Sequence, residues 1–284
     1  MTDKIIALVD GSIYAHSVCE HAAWVAGQTG WAVELLHVLG RREGADKTDL
    51  SGSIALGARS ALLAELAELD AQRARLVAHR GRAILEDARA ILDRAGVNEI
   101  TTRLRHGDIV ETVAQQEQGA RMVLIGKRGE AADFAKGHLG SNLERIVRAS
   151  TRPVFVAARA FKPIARVLLA YDGGASAMRA VDHVARTAIY RGLEVCVVTV
   201  GTETDASRKG LEDARAMLRG AGIEAETRVI AGQPETALGT LVEQDGFDMV
   251  VMGAYGHSRI RSMIIGSTTT EMIRSCKVPI VLTR

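Results

Sequence analysis

The chain has 284 residues, of which 47% are hydrophobic but only 4% aromatic, and 36 basic against 34 acidic residues leave a net charge of +2. That length suits two domains of about 140 residues with cores of Ala, Val, Leu and Ile. A near-neutral balance without a concentrated basic stripe argues against nucleic-acid binding, and so few aromatics argue against a base-stacking platform.

Cys19, Cys196 and Cys276 are far apart and odd in number. They suggest neither a disulfide framework nor a cysteine metal site, and they fit a reducing compartment. Met1 to Lys4 runs straight into a strand without the pattern of a signal peptide, and no apolar run approaches the ~20 residues that cross a bilayer. The expectation is a soluble, cytoplasmic protein with no membrane partner.

Ile5 to Val9 is a continuous apolar run ending in Asp10-Gly11-Ser12, which reads as a strand buried on both faces of a parallel sheet. Ser12 is placed to cap a helix over Tyr14 to Gln28, and Trp31 to Val38 is the second strand. Gly40 to Leu56 is polar and reads as a loop. From Ser60 a helical stripe runs through Leu62, Leu66, Leu69, Leu76, Val77, Ile84, Ala88 and Ile91, as one helix or two, with Gly81 the place for a break. Strands follow at Glu99 to Leu104, Met122 to Ile125 and Val154 to Ala157, with helices at Asp108 to Gln118 and Ser141 to Ala149 between them.

The plan then restarts. Strands are expected at Ala165 to Ala170, Leu193 to Val200, Glu224 to Ile230, Phe247 to Met252 and Val278 to Thr283. Helices are expected at Ser176 to Tyr190, Ser207 to Arg219, from Pro234, and over Thr269 to Cys276. Asp10-Gly11-Ser12 matches Asp172-Gly173-Gly174, and Gly126-Lys127-Arg128-Gly129 matches Gly253-Ala254-Tyr255-Gly256. The offset between matched positions falls from 162 to 127 residues, which locates an insert at about residues 40–80 of the first half. Alternating strands and helices imply right-handed crossovers and a parallel sheet flanked by helices. Ligands of such sheets sit outside the carboxyl ends of the strands, where Asp172, Val200 and Gly253 lie.

Gly253-Ala254-Tyr255-Gly256 is followed, nine residues later, by Gly266-Ser267-Thr268 at the start of a helix. Unpaired N–H groups and the positive dipole end there favour phosphate. The strand-Asp-Gly start, the five-strand repeat and this G-x2-G-x9-G-S-T spacing resemble the universal stress protein family, twice over, as in its tandem members. The resemblance implies two flavodoxin-like, doubly wound domains, residues 1–159 and 160–284, paired through their last strands within one molecule. It also implies ATP, with or without Mg, contacted by Asp172, Val200, Gly253, Gly256, Gly266, Ser267 and Thr268. The matching positions of the first half are Asp10, Val38, Gly126, Gly129, Gly140 and Ser141. That half departs from the pattern, because ten residues separate its glycine turn from Gly140-Ser141-Asn142. Glu130 and Asp133 add negative charge there, which Lys127, Arg128 and Lys136 are placed to offset. Three readings stand for it: a second nucleotide site, a site for a different ligand, or a structural role.

Blander readings stand beside these. Asp172 can close an Asx turn, His257 can be a surface residue, and Arg259 and Arg261 can be solvated or reach phosphate. Tyr255 can cover a ligand or the neighbouring half. His16, His21, His37, His79, His106 and His138 show no metal spacing, so no metal site is expected. No P-loop lysine follows Gly266, and no paired carboxylates or serine elbow are visible, so binding is better supported than turnover. The alternatives are a slow ATPase or autophosphorylating protein, and a ligand-independent module docking or forming a homodimer through the Leu62 to Leu76 stripe. That stripe otherwise reads as core packing. The protein partner is not legible.

Overall fold

The protein is described here from a computed structural model, in which residues 3–40, 56–129, 140–254 and 266–284 are described. The first half contains β1 (Lys4–Leu8), α1 (Ala15–Thr29), β2 (Ala32–Leu39), α2 (Leu56–Arg94), β3 (Ile100–His106) and α3 (Ile109–Gln116). It continues with β4 (Ala120–Gly126), α4 (Ser141–Ala149) and β5 (Val154–Ala157). The second half repeats the plan with β6 (Arg166–Ala170), α5 (Ala175–Arg186), β7 (Glu194–Val200), α6 (Asp205–Gly220) and β8 (Ala225–Ile230). It closes with α7 (Pro234–Asp245), β9 (Met249–Gly253), α8 (Ser267–Ser275) and β10 (Ile280–Thr283).

The strands form one ten-stranded sheet in the order β3-β2-β1-β4-β5-β10-β9-β6-β7-β8. Each half is parallel, and the halves join where β5 meets β10 antiparallel. Phe155 and Val281, the second residues of those two strands, lie opposite each other and mark a local two-fold relation. The continuous apolar runs form the central strands because both faces are covered. One core layer holds Val18, Leu85, Ala180 and Leu211 from α1, α2, α5 and α6. The other holds Val113, Ile146, Val242 and Met272 from α3, α4, α7 and α8. The edge strands β3 and β8 carry Arg103, Arg105, Glu226 and Arg228, charges that discourage pairing with other chains.

Several local expectations shift. The helix expected to 118 ends at Gln116, and Asp108 caps it by accepting from the N–H groups of Val110 and Glu111 at 2.9 and 3.2 Å. The helix expected to Tyr190 ends at Arg186, and Ala188–Tyr190 forms a separate 3-10 turn. Ser12 is not the cap of α1: the capping residue is Tyr14, without a side-chain cap bond, and the Ser12 hydroxyl accepts from the N–H of Tyr14 at 3.3 Å in the turn before it.

Of the two readings of the stripe from Ser60, one helix or two, α2 is the first: a helix of 39 residues, unbroken at Gly81, about 58 Å long at 1.5 Å per residue. Gly81 is there for contact rather than for bending. A Cβ at Gly81 would lie 2.8 Å from Leu104 Cδ1 and 3.0 Å from His37 Cδ2. Gly81→Val is therefore expected to lower stability by about 1–3 kcal/mol, the usual cost of overpacking, read from the denaturation midpoint at unchanged m-value. Only the C-terminal part of α2 is seated on the sheet, through Leu85, Ala88 and Leu92. The leucine stripe before it is not core: Leu69 is 54% and Leu76 71% exposed. The loop expectation for 40–56 falls almost wholly outside the described residues.

Candidate functional site

In each half the strand order reverses beside the first strand, since β1 lies between β2 and β4, and β6 between β7 and β9. Crossovers leave such a strand pair toward opposite faces, which opens a crevice at the carboxyl ends. In the second half that crevice is a cavity of about 330 Å³, within the usual range for a small-molecule site.

Its walls come from six elements. The exit of β6 supplies Tyr171 and Asp172, β7 supplies Val198 and Val200, and α5 supplies Ser176 and Ala177. Pro234 and Leu238, four residues apart on α7, close another side, and Met252, Gly253 and Gly266 to Thr269 complete it. The lining thus combines apolar side chains, Val198, Val200, Leu238 and Met252, with the start of α8. At the β6 exit, Asp172 accepts from the N–H of Gly174 at 2.8 Å and closes an Asx turn, which Gly173 permits with a φ of 78°.

Close backbone approach requires glycine at position 253. A Cβ on Gly253 would lie 2.5 Å from Ser176 Oγ and 2.8 Å from the Ser176 carbonyl carbon. The β9 exit therefore packs directly on the first turn of α5. The start of α8 has no side-chain cap: Gly266 is the capping residue and contributes only backbone. Helix geometry leaves the first N–H groups without intrahelical acceptors, and here they border the cavity. Thr269 Oγ1 donates back to the carbonyl of Ala254 at 3.3 Å, pinning the helix to the β9 exit. Thr268 Oγ1 donates to Glu235 Oε2 at 3.4 Å, which brings a carboxylate from the first turn of α7 to the rim. Burial and the neighbouring Asp213 and Asp172 charges raise the Tyr171 pKa, so its phenol stays protonated.

The first half carries the same frame with different contents. Asp10 Oδ1 accepts from the N–H of Ser12 at 3.0 Å, repeating the Asx turn. Tyr14 stands where the second half has Ser176, and its ring is buried. A Cβ on Gly126 would lie 2.6 Å from Tyr14 Cβ and 3.1 Å from Cγ. A Cβ on Gly129 would lie 3.0 Å from Asp10 Oδ2, so the glycine turn folds down onto that carboxylate. The N–H of Gly140 donates to the Lys127 carbonyl at 3.4 Å, as that of Gly266 donates to Ala254.

Lys127 departs from the sequence-based expectation. It is not placed to offset charge at a phosphate site. Its buried ammonium donates to the carbonyl of Cys276, just past the end of α8 in the other half. A cation suits a helix C-terminus, where unpaired carbonyls carry partial negative charge. Desolvation by burial nevertheless lowers its pKa. Arg284 makes the reciprocal contact, donating to the Arg148 carbonyl at 2.7 Å near the end of α4. Each half thereby ties down a helix of the other.

The sequence profile of the Universal stress protein family matches residues 1–158 and again residues 163–284. The chain belongs to that family. The curated universal stress protein Slr1230 of Synechocystis sp. is 34% identical over 285 residues, covering 99% of both chains. A universal stress protein structure from Archaeoglobus fulgidus shares the fold at a TM-score of 0.75 and 20% identity, covering 100% of this chain and 99% of its own. A crystal structure of a universal stress protein in complex with cAMP covers 43% of this chain and 98% of its own at 25% identity, with a TM-score of 0.38.

For a tandem universal stress protein, the expected site residues can now be located. Asp172, Val200, Gly253, Gly266, Ser267 and Thr268 all line the same cavity in the second half. Gly256 lies outside the described residues, as do Tyr255, His257, Arg259, Arg261, Glu130, Asp133, Lys136 and His138. Asp10, Val38, Gly126, Gly129 and Gly140 hold the matching places of the first half, and Ser141 is the first residue of α4. Tyr171, Ser176, Pro234, Leu238, Thr269 and Glu235 were missed. Ser176 had a signal, because the 162-residue offset that pairs Asp10 with Asp172 also pairs Tyr14 with Ser176. Among the described residues no group of three His, Cys, Asp or Glu side chains is placed to hold a metal, and no helix is long and apolar enough to cross a membrane.

Proposed function

We propose that the second half of this universal stress protein binds ATP and that the chain acts in stress response through nucleotide-dependent binding rather than turnover. The observation that carries the reading is the joining, in one cavity, of apolar side chains to an uncapped helix N-terminus. A purine is apolar on its faces and suits the lining at Val198, Val200 and Leu238. The ribose then lies near Asp172, and the phosphates meet the N–H groups and hydroxyls of Ser267 and Thr268. Residues 1–159 and 160–284 are taken as two domains, of which the first is structural. Tyr14 against Gly126, and Gly129 against Asp10, favour that asymmetry because they occupy the equivalent ground.

ATP can shift the protein between two states only through a difference in its affinity for them. The glycine turn and the start of α8 are the elements on which that difference would act. Calorimetric titration with ATP, GTP and cAMP tests the reading, and phosphate release is followed in the same samples. Saturable ATP binding without released phosphate is the expected result. Absence of ATP binding overturns the reading, and steady phosphate release with magnesium moves it to a slow ATPase.

Glu235 supplies a second check. Its carboxylate touches Thr268 and opposes a polyphosphate at the same place. Glu235→Gln removes that like charge and is expected to tighten ATP binding by about fivefold, on the order of 1 kcal/mol for a partly solvated charge. The gain shrinks as salt is raised, because ions screen exposed charges. Unchanged or weaker binding in this variant contradicts a phosphate position beside Thr268.

A further inference from the structure

We propose that the projecting part of α2 is a self-association surface, on which a second copy of this chain packs its own α2 antiparallel. The inference does not rest on the nucleotide reading. It starts from exposure: Leu63, Leu69 and Leu76 are 54%, 54% and 71% exposed, three of the five large apolar side chains that stand out among the described residues. Leu62, Leu66, Leu69 and Leu76 recur at steps of four, three and seven, which places them on one side of the helix in the pattern of a coiled-coil seam.

An isolated helix gains most of its stability from packing its apolar face. The part of α2 before Gly81 makes no such packing through Leu69 and Leu76. Exposed leucines concentrated on one helix mark an interaction surface.

Charge identifies the occupant. Residues 65–70 contain Glu65, Glu68 and Asp70 and no basic residue, whereas residues 73–82 contain Arg73, Arg75, Arg80 and Arg82 and no acidic one. A parallel copy would set like blocks side by side. An antiparallel copy sets the acidic block of each helix against the basic block of the other.

The leucines agree with the same axis. With a two-fold between Gln72 and Arg73, Leu69 meets Leu76 of the second copy, Leu62 meets Ala83, and Glu65 meets Arg80. One axis thus pairs Leu69 with Leu76 and Glu65 with Arg80, while it sets Leu66 beside His79 and Leu63 beside Arg82. Arg73 falls at the centre of the seam, where a polar residue fixes register at some cost in stability.

Sedimentation analysis of the full chain across concentration tests the proposal. The expected mass is twice the 30.4 kDa of one chain at tens of micromolar. Leu69→Glu with Leu76→Glu is expected to raise the dissociation constant by about 100-fold or more. Both side chains are exposed, so helix content by circular dichroism stays unchanged in that variant. Glu65→Arg alone and Arg80→Glu alone each weaken the dimer by about fivefold, and the two together restore it.

Leu62→Cys with Ala83→Cys gives a disulfide-linked dimer under mild oxidation. The native Cys19, Cys196 and Cys276 are buried and do not compete. A single-chain mass at every concentration overturns the proposal. A dimer that survives the double glutamate variant, or no restoration in the charge swap, overturns it equally.

Discussion

Ser176→Tyr is expected to abolish ATP binding, with affinity lost by about 100-fold or more, at least ~2.7 kcal/mol. The substitution copies into the second half the residue that the first half carries at Tyr14. Ser176 lines the cavity, and its Cβ presses on Gly253 as that of Tyr14 presses on Gly126. A tyrosine fits the backbone at that place, because the first half already accommodates one. Its ring then fills the crevice between β6 and β9 where a ligand would lie. Thermal unfolding should stay cooperative, which separates a blocked site from a damaged fold. The converse change, Tyr14→Ser, empties a buried position and is expected to cost about 3 kcal/mol of stability, as large-to-small core substitutions do. Isothermal titration of Ser176→Tyr that still shows full ATP affinity would remove the cavity from the account.

Acid should destabilise the fold well before its carboxylates titrate. His21 and His183 sit at matched positions of α1 and α5, and each leaves its Nε2 buried without a partner. His21 is fully buried between Phe155 and Phe161, with ring centroids 5.3 and 5.1 Å away, and its Nδ1 bonds the Ser17 carbonyl at 2.7 Å. His183 lies edge-on to Tyr190. Desolvation lowers both pKa values, that of His183 to about 4 despite the neighbouring Asp182.

The sign follows from linkage. The unfolded chain takes up these protons near pH 6.5, while the folded chain resists, so stability is fully present above that pH. It falls as pH drops from 6.5 toward 4, by about 3 kcal/mol for His183 alone. Asp108 and Glu226, whose pKa values are lowered chiefly by hydrogen bonds from Arg145 and Arg228, act below that window. Their contributions are lost as pH falls through their depressed values. Urea midpoints at pH 7 and 4.5 check this. His183→Phe should flatten the pH profile by most of the His183 share, and an unchanged profile would show that the imidazole is not held neutral.

Much of the fold was legible because its central strands are unbroken apolar runs, and only a sheet covered on both faces needs them. The Asp-Gly turns and the Gly266-Ser267-Thr268 start were legible for a related reason: backbone geometry at a strand exit restricts residue choice. What the sequence left open or misread was decided by distant contacts. Gly81 leaves one helix or two open when read locally, and its fitness in a single helix comes from Leu104 and His37 on the sheet beneath.

The Leu62 to Leu76 period looks the same whether it faces a core or solvent, and only the helix's length beyond the sheet decides. Lys127 follows a glycine at a strand exit and so resembles a phosphate ligand. Its true partner, the Cys276 carbonyl, lies 149 residues away. Tyr14 was visible yet unread, because its meaning depends on what Ser176 lines.

The central claim is one nucleotide site per chain, in the second half and not in the first. Equilibrium dialysis against labelled ATP measures it most directly, with the wild type beside Gly266→Val combined with Ser267→Val. One ATP per chain in the wild type and none in the double variant is the expected result. Two per chain, or full occupancy retained by the double variant, would contradict it.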